Sequence, residues 1–288
     1  MSDSPSPTSF SSASPPSIPI SRYEKFKAKL APFRDAAIGY VEGLQVVSEK
    51  VIFGITLHDM DDLKLDDLYW ETKNNTAFHG ILHKKKKSSD EKTWNEDLDE
   101  DLRLAAFFTS NCSKAVYCFL PQVRKILDDD PDFDKASWSR QYIDPKLILF
   151  DVDQDGNQRK SPLSFLAHDF ITITCKDSQR FVLDVAGDQF GIEEWFYTKK
   201  GYWKLLLEGR FPEITTEAAK AHHVEEEDNR NPALRIAVEE ALEEVKADWA
   251  RYNLTWNDIY LLPEEKQDEL RQGIVTKVRA KVVAALRG

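Results

Sequence analysis

The stretch of sequence that decides the fold covers residues 164–191 and reads SFLAHDFITITCKDSQRFVLDVAGDQFG. Residues 170–175 and 181–183 are rich in β-branched and aromatic side chains, which favour strands. The polar residues 176–179 between them are typical of a turn. The stretch therefore predicts two antiparallel strands joined by a short turn.

His168 stands where the first predicted strand begins, and Asp184 stands where the second one ends. A three-residue turn at residues 176–178 would place Asp184 opposite Phe170, on the same face as His168 and diagonal to it. Their Cβ atoms would then lie about 7 Å apart, close enough for a hydrogen bond between the side chains. A two- or four-residue turn would put them on opposite faces unless a bulge intervenes. The register of this hairpin therefore decides whether the pair can form.

A histidine that is oriented by a carboxylate commonly serves a nucleophile, and Cys112 is the candidate upstream. Ser110 and Asn111 are good N-cap residues, so we expect a helix to begin at Cys112. The amide groups and dipole of a first helical turn stabilise a thiolate. Cys118 lies deeper in the same predicted helix and Cys175 lies at a strand end, so both lack this stabilisation.

These residues predict a catalytic centre in which Cys112 is the nucleophile, His168 the general base and Asp184 the residue that orients His168. Asp188 is a competing partner for His168, but Asp184 directly ends the strand. The alternative interpretation is that Cys112 is an inert packing residue, as most buried cysteines are.

The order of Cys112, His168 and Asp184 resembles that of the papain-like and transglutaminase-like thiol enzymes, and of the arylamine N-acetyltransferases. In these families a cysteine begins a helix, a histidine begins a later strand, and an Asp or Asn lies on the next strand. The resemblance covers about residues 105–195. It implies an acyl-transfer enzyme that forms a thioester on Cys112 without a cofactor: an amide or peptide hydrolase, an acyltransferase or a transglutaminase. No glutamine stands a few residues before Cys112, so the side chain of an oxyanion hole is unassigned.

The composition of the chain indicates which binding partners and which cellular compartment to expect. The chain has 288 residues, a net charge of -11 and three cysteines. The acidic balance argues against nucleic acid as a partner, and no apolar run is long enough to predict a membrane helix. Cysteines without framework spacing, and a start without a secretion signal, predict reduced thiols in a cytoplasmic protein. The expected partner is a small-molecule or peptide acyl substrate.

The predicted fold class is α+β, with an antiparallel sheet that carries the histidine and aspartate packed on the helix that carries the cysteine. Residues 1–20 are rich in Ser and Pro and are expected to form a disordered tail. Residues 21–210 are expected to form the α+β core, and residues 211–288 a helical extension packed on it. The second hypothesis for function is a non-catalytic interaction or scaffold protein that binds a protein partner through these acidic helices.

A third hypothesis is calcium binding through Asp151, Asp153 and Asp155, which with Gly156 match the first half of a calcium loop. The twelfth position of such a loop needs a bidentate Glu, and here it is Pro162. The alternative is a polar turn after a strand.

Residues 72–93 are predicted to form an exposed, irregular loop around the basic run Lys84–Lys87. His79 and His83 lie within it at a spacing that suits metal binding only on a helix, and Gly80 makes a helix improbable there.

Overall fold

The computed structural model describes residues 21–58, 76–88, 94–152, 167–207, 217–256, 258–259 and 262–288. The predicted tail at residues 1–20 lies outside the described residues. The helices are α1 (Arg22–Val47), α2 (Glu100–Phe108), α3 (Cys112–Leu127), α4 (Lys199–Tyr202), α5 (Glu217–Arg230), α6 (Pro232–Ala250) and α7 (Glu264–Arg287). The strands are β1 (Lys50–His58), β2 (Ala77–Lys85), β3 (Phe133–Tyr142), β4 (Leu147–Val152), β5 (Ala167–Cys175), β6 (Arg180–Leu183) and β7 (Phe196–Thr198).

The strands form two sheets, and together with the helices they make an α+β fold, as predicted. The smaller sheet has the order β1-β2-β4, in which β1 and β2 are antiparallel and β4 runs parallel to β2. The larger sheet has the order β3-β5-β6-β7 and is antiparallel throughout. Helix α3 packs against β5 and β3 of this larger sheet. The sheet that carries the histidine and the aspartate is therefore packed on the helix that carries the cysteine.

The predicted hairpin is confirmed, and so is its register. Ile171 of β5 pairs with Leu183 of β6, so the next residues outward, Phe170 and Asp184, lie opposite each other. The turn has three residues and ends with Ser178, whose φ of 69° lies in the left-handed region. A residue in this conformation is the usual end of a three-residue hairpin turn. The odd turn places Asp184 on the face of His168.

The prediction of an irregular loop at residues 72–93 is wrong, because strand β2 (Ala77–Lys85) runs through it. Its apolar residues Phe78 and Ile81 are buried. Their spacing does not follow the alternation of a half-buried strand, since β2 is a central strand with a neighbour on each side. The lysines at the end of β2 also made the segment resemble an exposed loop.

The C-terminal helices pack on the N-terminal helix. Ser21 is the N-cap of helix α1, and its hydroxyl accepts a hydrogen bond from the N–H of Glu24 (3.2 Å). Helix α7 crosses α1 so closely that a Cβ on Gly39 would lie 2.5 Å from the backbone oxygen of Val275. The buried face of α6 consists of Leu234, Ala237, Val238, Ala241, Leu242, Val245 and Trp249. The apolar faces of these helices are thus largely covered within the chain.

Among the helices that the structure describes, none is both long enough and apolar enough to cross a lipid bilayer.

Candidate active site

The hairpin brings His168 and Asp184 into direct contact. His168 Nε2 lies 2.8 Å from Asp184 Oδ1, and both side chains are fully buried. Asp184 also accepts hydrogen bonds from the hydroxyl of Tyr202 (2.7 Å) and from the backbone N–H of Ala186 (3.2 Å). A buried carboxylate needs such donors to remain charged. Asp184 is therefore fixed as the partner of the Nε2 side of the imidazole.

Helix α3 presents Cys112 to the same imidazole. The helix begins at Cys112, as predicted. The thiol donates a hydrogen bond to Asp169 Oδ2 (3.8 Å), and it lies close enough to His168 to raise the pKa of the imidazole. Cys112 is 9% exposed, whereas His168 is 0% and Asp184 1% exposed. The three predicted site residues meet in one cluster, and the thiol is its outermost member.

The capping interaction expected at this helix does not form. Asn111 occupies the N-cap position, but its side chain makes no capping hydrogen bond. Its amide instead donates to the carbonyls of Phe107 (2.9 Å) and Thr109 (3.2 Å), at the end of α2. Ser110 has a φ of 62°, a left-handed conformation that is uncommon for serine. The turn before Cys112 is therefore shaped by α2 and leaves the first N–H groups of α3 without side-chain caps.

The electrostatic surroundings favour a proton on His168. Burial lowers the pKa of His168, but the charge and hydrogen bond of Asp184, together with the contact with Cys112, outweigh it and raise the pKa to about 10. A histidine that holds its proton beside a thiol favours the thiolate of that thiol. Asp184 and Cys112 therefore both raise the affinity of the imidazole for a proton.

Gln189 contacts the other nitrogen of the imidazole. Its Nε2 lies 3.0 Å from His168 Nδ1, and its Oε1 accepts a hydrogen bond from the backbone N–H of Ser110 (3.3 Å). Since the N–H of Ser110 can only donate, the amide is oriented with its oxygen toward Ser110 and its nitrogen toward Nδ1. Gln189 therefore links the turn before Cys112 to the imidazole.

A second carboxylate, Asp169, lies beside the thiol. Its side chain has no exposed surface and pairs with Arg140, whose Nε and Nη2 donate to Oδ1 and Oδ2 at 2.8 and 2.6 Å. The indole N–H of Trp138 also donates to Oδ1 (2.8 Å). The negative charge next to Cys112 is therefore compensated by a guanidinium group.

Asp188, the competing partner for His168, has a different role. Its Oδ1 lies 2.5 Å from Arg34 Nη2, and Arg34 Nη1 also donates to the carbonyl of Val185 (3.2 Å). This pair anchors the short 3₁₀ helix Gly187–Phe190 to α1. Asp188 thus fixes the segment that carries Gln189 and leaves His168 to Asp184.

The calcium hypothesis gains no support from the residues that the structure describes. Asp151 Oδ1 lies 3.0 Å from Nε2 of His83, so this carboxylate pairs with a histidine. Asp153 and Asp155 lie outside the described residues. Within the described ranges, no group of three or more His, Cys, Asp or Glu side chains could hold a metal ion.

Comparison of the chain with models of known families, with curated proteins and with solved structures finds no match. The candidate site is therefore argued from its geometry.

Three side chains of the site were not predicted from the sequence: Gln189, Tyr202 and Asp169. The sequence has no glutamine a few residues before Cys112, and Gln189 instead follows Asp184 in the chain. Tyr202 belongs to an aromatic-rich segment in which a single hydroxyl gives no signal of its own. Asp169 depends on Arg140 of the neighbouring strand, and only the register of β3 with β5 brings those two residues opposite each other.

Proposed function

We propose that this protein is an enzyme that transfers acyl groups through a thioester on Cys112. The observation that carries the proposal is the geometry around His168. One nitrogen of the buried imidazole binds Asp184, and the same ring contacts a thiol at the start of a helix. This is the arrangement that nucleophile, base and orienting residue require.

In the proposed mechanism, the proton of Cys112 resides on His168, and the thiolate attacks the carbonyl carbon of the substrate. The bond from the carbonyl carbon to the leaving group then breaks, and His168 returns the proton to that group. Asp184 keeps the other proton on Nε2 and stabilises the imidazolium that forms. The product at this stage is a thioester. The proposal invokes no cofactor.

The acceptor that resolves the thioester decides the reaction class. Water would make the protein an amide or peptide hydrolase, and an amine would make it an acyltransferase or a transglutaminase. The substrate in each case is a small molecule or peptide that carries an acyl group. A thiolate nucleophile must also stay reduced, which fits the proposed location in the cytoplasm.

The start of α3 supports the same mechanism. The first N–H groups of a helix have no acceptor within the helix, and the N–H of Cys112 is one of them. Such a group points toward the negative oxygen that forms when the thiol attacks a carbonyl. The backbone of Cys112 is therefore the first donor of the proposed oxyanion hole.

The rate at which iodoacetamide alkylates each cysteine, mapped by mass spectrometry across a pH series, tests the proposal. At about pH 6 an ordinary thiol is almost fully protonated and reacts slowly. We expect Cys112 to react rapidly there, and His168→Ala to abolish this reactivity. His83→Ala is the matched control because His83 binds Asp151 in the other sheet. Equal, slow alkylation of Cys112 in the wild type and in His168→Ala would refute the proposal.

The second candidate function is a non-catalytic interaction protein, and the burial of the site favours it. Cys112 is only 9% exposed, as a packing cysteine would be. The apolar faces of α6 and α7 are largely covered by the body, so a partner would bind their outer faces, where Ile236 and Leu286 are 52% and 42% exposed. This candidate predicts an unreactive Cys112, so the same alkylation experiment separates the two functions.

A further inference from the structure

A basic cavity opens where the end of strand β2 meets the C-terminal ends of α1 and α7. Its volume is about 430 Å³, which is within the range of small-molecule binding sites. Glu49 is the one acidic side chain among the described residues of its lining. Four basic side chains line the cavity: Lys85, Lys86, Lys87 and Arg287. Four cations thus converge on one concavity in a chain whose net charge is -11.

Part of this positive charge stabilises the helix ends. Helix α1 ends at Val47, and Nζ of Lys86 donates a hydrogen bond to the carbonyl of Val46 (2.8 Å). Arg287 lies in the last turn of α7. The C-terminal end of a helix carries about half a negative charge, so the two ends and Glu49 together offset about two of the four cations, and a charge of about +2 remains in the lining.

Two lysines face each other beside this cavity. Lys85 of β2 pairs in register with Lys50 of β1, and both side chains are exposed. Like charges directly opposite each other in an antiparallel pair destabilise it. In the part of the chain that the structure describes, neither lysine forms an ion pair with a carboxylate. The strand pair therefore carries a repulsion that an anion bound near Lys85 would relieve.

Clustered phosphate groups match the chemistry of this cavity. Ammonium and guanidinium groups bind phosphate oxygens through charge-assisted hydrogen bonds. An excess charge of about +2 suits a ligand with more than one phosphate group. A nucleic acid would need an extended basic surface, whereas these cations lie in one cavity of an acidic chain. The ligand that fits is therefore small.

We propose that this cavity binds a small ligand that carries two or more phosphate groups, held by Lys85, Lys87 and Arg287. Lys86 keeps its hydrogen bond to the end of α1. A soluble polyphosphorylated molecule and the headgroup of a phosphoinositide lipid share this chemistry. The site is built from the smaller sheet and the ends of two helices, so it does not depend on the proposed function of Cys112.

Isothermal titration of the full chain with inorganic tripolyphosphate tests the site. We expect binding to the wild type, and a Kd at least about tenfold higher in the double variant Lys85→Gln/Arg287→Gln. Both substituted side chains are exposed, so the fold should be retained. Lys135→Gln/Arg180→Gln is the matched control, because it removes the same charge from exposed positions of the larger sheet. The control should keep the wild-type affinity.

Thermal unfolding gives a second readout. Tripolyphosphate should raise the Tm of the wild type and of the control, but not that of Lys85→Gln/Arg287→Gln. Without ligand, Lys85→Gln should be at least as stable as the wild type, because the substitution removes the repulsion from Lys50. A lower Tm of ligand-free Lys85→Gln would show that Lys85 has a structural role, and would count against the site.

Flotation with vesicles that contain phosphatidylinositol bisphosphate separates the two sources of the ligand. Binding that is lost in Lys85→Gln/Arg287→Gln identifies a lipid headgroup. Binding of tripolyphosphate without binding to vesicles identifies a soluble ligand. The proposal is overturned if the wild type binds neither probe, or if the control double variant weakens binding as much as Lys85→Gln/Arg287→Gln does. The alkylation of Cys112 is a separate measurement, so neither result bears on the proposed function.

Discussion

Replacing Asp184 by Asn tests the electrostatics of the site with a change of one atom. The hydroxyl of Tyr202 and the N–H of Ala186 both donate to the carboxylate, and His168 lies against the same group. In the amide, the oxygen can still accept from Ala186 and His168, which both bind Oδ1, and the NH₂ group can donate to the hydroxyl of Tyr202, which bound Oδ2. The geometry around His168 is therefore retained, and the change removes the negative charge beside the imidazole.

The pKa of His168 shows how strongly Asp184→Asn should weaken proton binding by the imidazole. Burial lowers this pKa, and Asp184 is the largest influence that raises it, from an ordinary 6.5 to about 10. Without the charge of Asp184, burial should bring the pKa below 6.5. The affinity of the imidazole for a proton would then fall on the order of a thousandfold or more. In a comparable catalytic triad, the same Asp-to-Asn change lowers the catalytic rate by about 10⁴-fold.

The raised pKa of His168 also predicts how the free energy of unfolding depends on pH. Because the pKa of His168 is raised in the folded protein, the pair stabilises the fold fully below pH 6.5 and loses this contribution as the pH rises toward 10. The difference in the free energy of unfolding between the wild type and Asp184→Asn should therefore be largest in mild acid. It should shrink as the pH increases.

NMR titration of His168 and urea unfolding at several pH values measure both effects. The His168 resonances are assigned by their loss in His168→Gln, and the iodoacetamide rate of Cys112 reports the thiolate. The reasoning is refuted if His168 titrates within about one unit of the wild type in Asp184→Asn. If the difference in the free energy of unfolding between the two proteins grew as the pH increased, the predicted direction of the pH dependence would be wrong.

Two further predictions concern the surroundings of the site and the helical layer. Arg140→Met should leave the charge of Asp169 uncompensated beside Cys112, and iodoacetamide alkylation at about pH 6 should slow by about tenfold or more; an unchanged rate would show that Arg140 does not influence the thiolate. Gly39→Ala should destabilise the protein by about 1–3 kcal/mol in urea unfolding, because the added Cβ meets the backbone of α7. Gly273→Ala, at a helical glycine with nothing within 4 Å of the added Cβ, should instead be neutral or stabilising by up to about 1 kcal/mol.

The hairpin could be predicted from the sequence because both of its determinants are local. Strand propensity located β5 and β6, and the length of the turn set the register that places Asp184 on the face of His168. The start of the helix at Cys112 could also be predicted from neighbouring residues. The side chain of Asn111, however, binds the end of α2 and does not cap α3. Short-range rules therefore located the three proposed catalytic residues.

The rest of the site depends on contacts between distant segments. Gln189 reaches Ser110 across 79 positions, and Arg140 reaches Asp169 from another strand. Strand β2 was missed for a similar reason, since its sequence ends in lysines and its apolar residues follow no simple alternation. Strand β2 forms because it pairs with β1 and β4, and the local sequence of β2 contains no information about these partners.

The burial of two carboxylates around one histidine and one thiol is itself an argument for function. Asp169 and Asp184 are each 1% exposed, and each is held by its own set of donors. Removing a carboxylate from water is costly, and apolar side chains of similar size would often give equal or greater stability at such positions. Ionisable groups with strongly shifted pKa values also cluster at functional sites. A chain that needed only to pack its hairpin against α3 would gain little from this arrangement, whereas a chain that must hold a proton on His168 beside Cys112 requires it.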